Sequence, residues 1–247
     1  MATNSFLAHI DSDLSEFDSF TNTGSGTLVE SATAKYIGAG GLLITPDGNF
    51  DGADLTISTG MFVQKNLTAP WASNIVWVSY WLQIPIMPVD YGPDIFYCWK
   101  SVGSALKANH SLGNEGIVGG KMGLRFSLQG GAGGIHTTIY IPAGVWLWVT
   151  CEHQMRTSTP FTNFLSAKIY NADGTVFAGP STATATGGNA SSNANGNVFQ
   201  FGSWNSVNTS VVWLDELQVT DTMPSPPTPP ACATNLNNFL SILSPRN

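Results

Sequence analysis

Six side chains in this sequence have types and spacings that could bind a ligand. They are Trp77, Trp81, Trp146, Trp148, Glu152 and Gln154. Each pair of tryptophans lies at even spacing within an alternating apolar run, so a strand places both indoles of a pair on one face. Indole rings stack on the C–H faces of sugars, and amides and carboxylates bind sugar hydroxyls. The pattern therefore predicts sugar binding on a sheet, and its alternative is that the indoles simply fill the space between two sheets.

A second candidate is the Asp/Asn/Gly-rich turn at residues 47–54. Asp47, Asn49 and Asp51 alternate, and Gly52 follows, as in the first half of a calcium-binding loop. The twelfth position of such a loop is Ser58 here and not the bidentate Glu. Turns of this composition are also common in β proteins without any metal. Calcium is one interpretation of this loop and an ordinary turn is the other; no further cofactor is predicted.

Catalytic patterns are weak. A glycan-cleaving enzyme needs two carboxylates about 5–10 Å apart. Asp215 and Glu216 are adjacent, so a strand would point them to opposite faces. The four histidines are His9, His110, His136 and His153, and their spacing matches no metal-ligand motif. We therefore expect no catalytic residues and a protein that is not an enzyme.

The chain reads as a series of short strands separated by turn signals. The predicted strands are Thr27–Glu30, Gly41–Thr45, Met61–Asn66, Ile75–Ile86, Ile95–Lys100, Gly123–Leu128, Thr137–Ile141, Val145–Met155, Phe164–Tyr170, Val198–Gly202 and Val211–Thr220. Residues 181–197 contain few large apolar groups and are predicted to form an exposed loop. This spacing is typical of an all-β sandwich of two antiparallel sheets.

The last predicted strand, VVWLDELQVT, contains one anomaly. Val211, Trp213, Leu217 and Val219 alternate as a core-facing row, and Asp215 occupies a position in that row. A carboxylate turned toward a core needs a partner, which could be backbone amides, a lysine or a cation. We expect structural hydrogen bonding there.

This strand also carries a family resemblance. An apolar residue followed by Asp215-Glu216 resembles the closing strand of concanavalin-A-like (laminin-G-like) jelly rolls of the lectin–glucanase superfamily. The preceding order is similar too: a strand opening with Gly144-Val145-Trp146, a strand ending in the turn NADG, and a strand containing FGS. The likeness covers residues 12–221. It implies a two-sheet antiparallel jelly-roll sandwich and says much less about function.

The composition changes after residue 221. The segment MPSPPTPP must be extended, because proline disfavours helix in the residue before it. Beyond it, four apolar residues at helical spacing predict a short amphipathic helix that either packs on its own domain or docks on a neighbouring subunit. They are Leu236, Phe239, Leu240 and Leu243. The predicted organisation is a jelly-roll domain at residues 1–221, a Pro-rich linker at 222–232 and a C-terminal amphipathic tail at 233–247.

Composition restricts the partners. Charged residues are 10% of the chain, and nine Lys and Arg against 16 Asp and Glu give a net charge of -7. No basic patch for nucleic acid is therefore predicted. No apolar run is long enough to span a membrane. The N-terminus lacks a signal-peptide pattern, and Cys98, Cys151 and Cys232 are odd in number, which favours free thiols formed in a reducing compartment.

These observations together predict a non-enzymatic structural or adhesion protein of a particle. The favoured particle is a phage virion, in which the chain would be a decoration, fibre or lectin-like surface component that binds other virion or assembly subunits through its tail. It would be made in the host cytoplasm and displayed on the virion surface, with an extracellular location as the alternative. The alternative function is a carbohydrate-binding module, with or without calcium, and a glycan-cleaving enzyme is less favoured.

Overall fold

The structure, a computed structural model, describes residues 5–11, 13–22, 26–46, 61–67, 75–88, 94–101, 106–128, 134–154, 162–186, 196–204 and 211–225. These residues form fifteen strands. They are β1 (Ser5–Ala8), β2 (Ser19–Asn22), β3 (Thr27–Ser31), β4 (Gly41–Thr45), β5 (Met61–Asn66), β6 (Ile75–Gln83), β7 (Asp94–Ser101), β8 (Leu106–Val118), β9 (Lys121–Leu128), β10 (Ile135–Ile141), β11 (Leu147–Gln154), β12 (Thr162–Asn171), β13 (Val176–Thr186), β14 (Gly196–Trp204) and β15 (Val212–Thr220).

The strands form two antiparallel sheets. Sheet A has the order β13-β12-β11-β6-β15-β4-β3, and β1 pairs with the second half of β15. Sheet B has the order β10-β9-β8-β7-β14-β5-β2. The predicted all-β, two-sheet architecture is confirmed. The predicted C-terminal helix lies outside the described residues, as does the predicted linker after residue 225.

One apolar core lies between the sheets. Sheet A contributes alternate residues such as Val78, Leu82 and Val149, and sheet B contributes Phe126 and Phe199, all fully buried. This period-two burial is the ordinary consequence of pleating. Each sheet therefore has an inner face in this core and an outer face on the opposite side, and it is the outer faces that a ligand can approach.

Four of the observed strands were not predicted from the sequence. They are β1, β2, β8 and β13. The expectation of an exposed loop from residue 181 is wrong for its first part, since 181–186 belong to β13 and pair with β12. β13 lies at the edge of sheet A, where side chains face solvent and polar residues are tolerated. β8 places Ala108 and His110 on its inner face, which weakens its apolar alternation.

β15 contains a bulge that changes which residues face the core. The pairing with β6 shifts between Asp215 and Gln218, and Glu216 has a positive φ of 50°. Val212 and Leu214 are therefore the core residues before the bulge. The expectation that Val211 and Trp213 face the core is wrong, because the extra residue inverts the alternation.

Glu216 also ties the N-terminal strand to β15. Its carboxylate lies 2.7 Å from Nδ1 of His9, just beyond β1, and this hydrogen bond raises the pKa of His9. The N-terminal strand is thereby held both by its backbone pairing with β15 and by a side-chain contact at its end.

Cys98 and Cys151 are free and buried, and Cys232 lies outside the described residues. Among the residues that the structure describes, there is no helix of the length and hydrophobicity needed to cross a membrane.

Candidate functional site

The outer face of sheet A holds the side chains predicted to bind sugar. In register, Trp148 on β11 lies beside Trp81 on β6, and Glu152 lies beside Trp77. Gln154, two residues after Glu152, is the last residue of β11, and Trp146 directly precedes the first residue of that strand. The structure thus brings the two tryptophan pairs to one face, but their burial separates them into two groups.

The first group is closed to a ligand. Trp81 and Trp148 are fully buried, with their ring centroids 5.3 Å apart. The ring of Tyr36, from the segment between β3 and β4, covers Trp81 at 3.9 Å and an interplanar angle of 35°. Trp146 is half-buried and packs against Tyr36 at 5.7 Å. Tyr36 therefore occupies the indole face on which a sugar ring would stack.

Asp215 holds this cover in place. Its carboxylate accepts hydrogen bonds from the backbone N–H groups of Tyr36 and Ile37, each 2.8 Å long, and from the N–H of Glu216. The prediction of structural hydrogen bonding is confirmed, with backbone amides as the partners. Burial nevertheless raises the pKa of Asp215 to about 6, because desolvation outweighs the three hydrogen bonds.

The second group is open, and we call it the Trp77 strip. It consists of half-buried side chains on β12, β11, β6 and β15: Trp77, Glu152, Gln154, Phe164, Ser166 and Thr220. Glu152 lies between Ser166 and Trp77 in register, and Thr220 lies on the other side of Trp77. An indole face is thus flanked by a carboxylate and two hydroxyls. Burial raises the pKa of Glu152.

The strip does not contain the carboxylate pair that glycosidic hydrolysis requires. Glu152 lies beside Trp77, and Asp215 lies beside Trp81, four residues further along β6. Four residues of strand span about 13 Å, which exceeds the separation in glycosidases. Asp215 is also engaged by three backbone amides. Glu152 and Asp215 therefore do not form a glycosidase-type carboxylate pair on the described part of this face.

The outer face of sheet B is a second polar surface. A single row of register partners crosses all seven strands: His136, Ser127, Asn109, Cys98, Gln200, Gln64 and Ser19. The Cys98 thiol donates to Gln200 Oε1 at 3.3 Å, and Gln200 Nε2 donates to Gln64 Oε1 at 2.5 Å. The centre of the row is fully buried and its ends are exposed, so its middle supports the side chains around it.

The outer face of sheet B also contains a cation, Arg125, with polar side chains around it. It pairs in register with Thr138, and His136 and Tyr140 lie two residues to either side of Thr138. Such diagonal neighbours are about 7–8 Å apart, within reach of long side chains. Arg125 also contacts Glu115 at 3.4 Å and Ser127 at 3.3 Å. Sequence reasoning missed this group, because its members lie on two different strands, β9 and β10, and come together only when these strands pair.

The histidines do not remain scattered in the fold. The structure brings His110 of β8 and His153 of β11 together inside the core, with their Nε2 atoms 3.3 Å apart. Spacing along the chain does not predict this contact, because it is made between strands of two different sheets. His9 and His136 lie elsewhere and are exposed.

Two predicted sites lie outside the described residues. These are the calcium-like loop, with Asp47, Asn49 and Asp51, and the tail residues Leu236, Phe239, Leu240 and Leu243. Both remain predictions from the sequence.

Comparison with known proteins identifies structural likeness only. No protein-family model matches the sequence, and no curated protein matches it either. Among solved structures, the endo-β-1,4-glucuronan lyase of the fungus Trichoderma reesei superposes with a TM-score of 0.58 and 15% identity, covering 86% of this chain and 94% of the lyase. The marine PL-14 alginate lyase of Aplysia kurodai gives 0.54 and 11%, covering 91% of this chain and 100% of that one.

A weaker likeness is to the botulinum neurotoxin serotype C1 binding domain, with a TM-score of 0.48, 11% identity, and coverage of 92% of this chain and 47% of that chain. The two lyases share the two-sheet sandwich over nearly their whole length, and at this identity the likeness concerns the fold alone. Together with the two antiparallel sheets, it shows that this chain has a concanavalin-A-like jelly-roll fold.

Proposed function

We propose that this protein is a glycan-binding jelly roll that acts as an adhesion component of a particle. The observation that carries the proposal is the Trp77 strip, in which a half-exposed indole lies in register between Glu152 and Thr220. A sugar stacked on Trp77 would find hydrogen-bonding groups on both sides of the ring. This is the combination of apolar platform and convergent polar groups that small-ligand sites use.

The strip favours an uncharged glycan. The carboxylate of the Trp77 strip is Glu152. Lys168, a cation on the same face, lies over the ring of Tyr170, with its Nζ 4.9 Å from the ring centroid. A charged sugar would gain little there, whereas a neutral pyranose needs only stacking and hydroxyl contacts. The raised pKa of Glu152 also favours contacts in which its carboxyl group shares hydrogen bonds with hydroxyls.

The setting on a particle, with a phage virion as the favoured case, rests on the sequence. Low charge, free cysteines and a Pro-rich linker followed by an amphipathic segment support it. In this proposal the sandwich presents the strip outward, and the segment after the linker binds a neighbouring subunit.

A glycan array tests the binding proposal. Wild-type protein, Trp77→Ala and Glu152→Gln are compared, with His136→Ala on the opposite sheet as the matched control. We expect binding to at least one neutral glycan that falls ten-fold or more in Trp77→Ala, falls less in Glu152→Gln and is unchanged in His136→Ala. Binding that survives Trp77→Ala, or no binding to any glycan, contradicts the proposal.

A second candidate is elimination of a uronate polysaccharide on the outer face of sheet B. Arg125 could neutralise a uronate carboxylate while either His136 or Tyr140 takes the C5 proton and the other gives a proton to the departing C4 glycosidic oxygen, so that the C4–O bond breaks and a C4=C5 double bond forms. These three side chains share that face. The assay is the ultraviolet absorbance of the unsaturated product after incubation with polyuronates. Product formation that is lost in Arg125→Ala and kept in Trp77→Ala would establish this function and would overturn the non-enzymatic proposal.

A further inference from the structure

The core contains a polar cluster that neither outer face uses. His110 on β8 of sheet B meets Cys151 and His153 on β11 of sheet A, and all three are fully buried. Cys151 and His153 are two residues apart, so the pleat points both to the same face. The candidate ligand atoms, two imidazole nitrogens and one sulfur, all lie within 4.8 Å of one another.

We propose that His110, Cys151 and His153 bind a structural transition-metal ion, with Zn²⁺ as the best fit. Tetrahedral zinc has Zn–N distances of about 2.0–2.1 Å and a Zn–S distance of about 2.3 Å, which separates two nitrogens by about 3.3 Å and nitrogen from sulfur by about 3.6 Å. Two of the three separations match these values: the two Nε2 atoms are 3.3 Å apart, and Cys151 Sγ is 3.6 Å from His153 Nε2. The third separation, between Cys151 Sγ and His110 Nε2, lies within 4.8 Å and would shorten toward the tetrahedral value on binding.

Hydrogen bonding alone accounts less well for these contacts. Nε2 of His153 faces both Nε2 of His110 and the Cys151 sulfur. A neutral imidazole nitrogen has one lone pair, so it can accept one of these donors well but not both. An ion between the three atoms takes one lone pair from each, and this removes the competition.

The ligand chemistry selects the metal class. Imidazole nitrogen and thiolate sulfur suit zinc and other soft or borderline ions, whereas calcium and magnesium require oxygen. A cysteine binds a metal ion as its thiolate, so the Cys151 proton must leave when the metal binds.

The surroundings resemble the second layer of a metal site. The Tyr80 hydroxyl oxygen lies 2.6 Å from Nδ1 of His110 and can accept a hydrogen bond from its N–H. This contact would orient Nε2 of His110 toward the ion. The Tyr97 hydroxyl has no hydrogen-bond partner among the described residues, and its ring packs on His110 at 4.6 Å. Nδ1 of His153 also has no hydrogen-bond partner among the described residues.

Such an ion would link the two sheets through the middle of the sandwich. Because the site is fully buried, the metal would enter during folding and not by exchange with the folded protein.

The test is elemental analysis of the full-length, tag-free protein produced with zinc in the medium. We expect about one zinc per chain in the wild type and in the controls Cys98→Ser and His136→Ala, and a loss of at least five-fold in Cys151→Ser and His153→Gln. Absence of metal in the wild type overturns the proposal, as does zinc that Cys151→Ser retains. One equivalent of a different metal overturns the assignment to zinc.

A cobalt-substituted wild type covers the case in which the variants fail to fold. Refolding with Co²⁺ should give the intense visible bands of tetrahedral cobalt and a near-ultraviolet thiolate-to-cobalt charge-transfer band. Both signals should persist in Cys98→Ser. A folded protein with bound cobalt and no thiolate band would show that the sulfur is not a ligand and would contradict the site.

Discussion

Cys98 and Cys151 are both fully buried, and this gives a prediction at the scale of single residues. Burial raises the pKa of Cys98 to about 12 and raises that of Cys151 well above its ordinary value. Because the thiolate is the reactive form, neither should react with a thiol reagent in the native protein. We expect at most one fast-reacting thiol in the folded chain and three after unfolding in the presence of a chelator. Two or more fast thiols in the native state would contradict this burial.

Asp215 gives a second prediction at this scale. Its pKa is raised from 3.8 to about 6, so the folded state binds its proton more tightly than the unfolded state does. The contribution of Asp215 to stability is therefore complete below about pH 4 and decreases as pH rises through about 6, by up to about 3 kcal/mol. Asp215→Asn cannot ionise. It should lower stability by roughly 1–3 kcal/mol through lost hydrogen bonds, and its deficit should shrink as pH rises.

Denaturant unfolding of both proteins across this pH range measures the effect, and Asp173→Asn is the control. The pKa of Asp173 is lowered by hydrogen bonds from Thr175, so its replacement should matter less as pH falls. If the deficit of Asp215→Asn instead grows with rising pH, the three amide hydrogen bonds outweigh desolvation.

At the scale of elements, the segment between β3 and β4 acts as a cover over part of sheet A. The Tyr36 ring lies 3.9 Å from Trp81, and its backbone is bound by Asp215. We expect Tyr36→Ala to lower the free energy of unfolding by roughly 2–4 kcal/mol and to expose Trp81 and Trp148.

The measurement is acrylamide quenching of tryptophan fluorescence, which should increase with a red shift of the emission. Tyr140→Ala, on the outer face of sheet B, is the control and should change neither. Unchanged quenching in Tyr36→Ala would show that the indoles are covered by other groups.

The sequence predicts those elements in which alternation and burial agree. β4 and β5 begin and end where predicted, since each contains a short apolar run that follows a glycine in the sequence. β15 shows the limit: its bulge inserts one residue, so a strict period of two assigns Trp213 to the wrong face. β8 and β13 were missed because one has polar residues in the core and the other lies at a sheet edge.

The candidate site follows the same rule. Alternation predicts that Trp77 shares a face with Trp81 and that Glu152 shares a face with Trp148, because each prediction depends on a single strand; the pairing of the two strands is what brings Glu152 beside Trp77. It could not predict that Tyr36 covers Trp81, since this cover comes from a segment far away in sequence. Nor could it predict the meeting of His110 with His153, which requires knowing how the two sheets face each other.

At the scale of the whole molecule, the sandwich divides its roles between surfaces. The outer face of sheet A offers an indole with hydroxyl-binding groups, the outer face of sheet B offers a cation with polar neighbours, and the core holds the metal-ligand cluster. These three regions share no side chains, so a variant that folds normally changes the groups of one region and keeps those of the other two.

The last prediction concerns the end of the chain. β15, the last strand of the described residues, ends at Thr220, before the Pro-rich segment. A chain ending at residue 225 should therefore unfold at the same temperature as the full protein within about 2 °C, and should bind the same glycans. If the C-terminal segment is the anchor, the shortened chain should lose association with particles or with other subunits in sedimentation. Equal association would assign docking to the sandwich itself, while a lower unfolding temperature would show that the tail packs on its own domain.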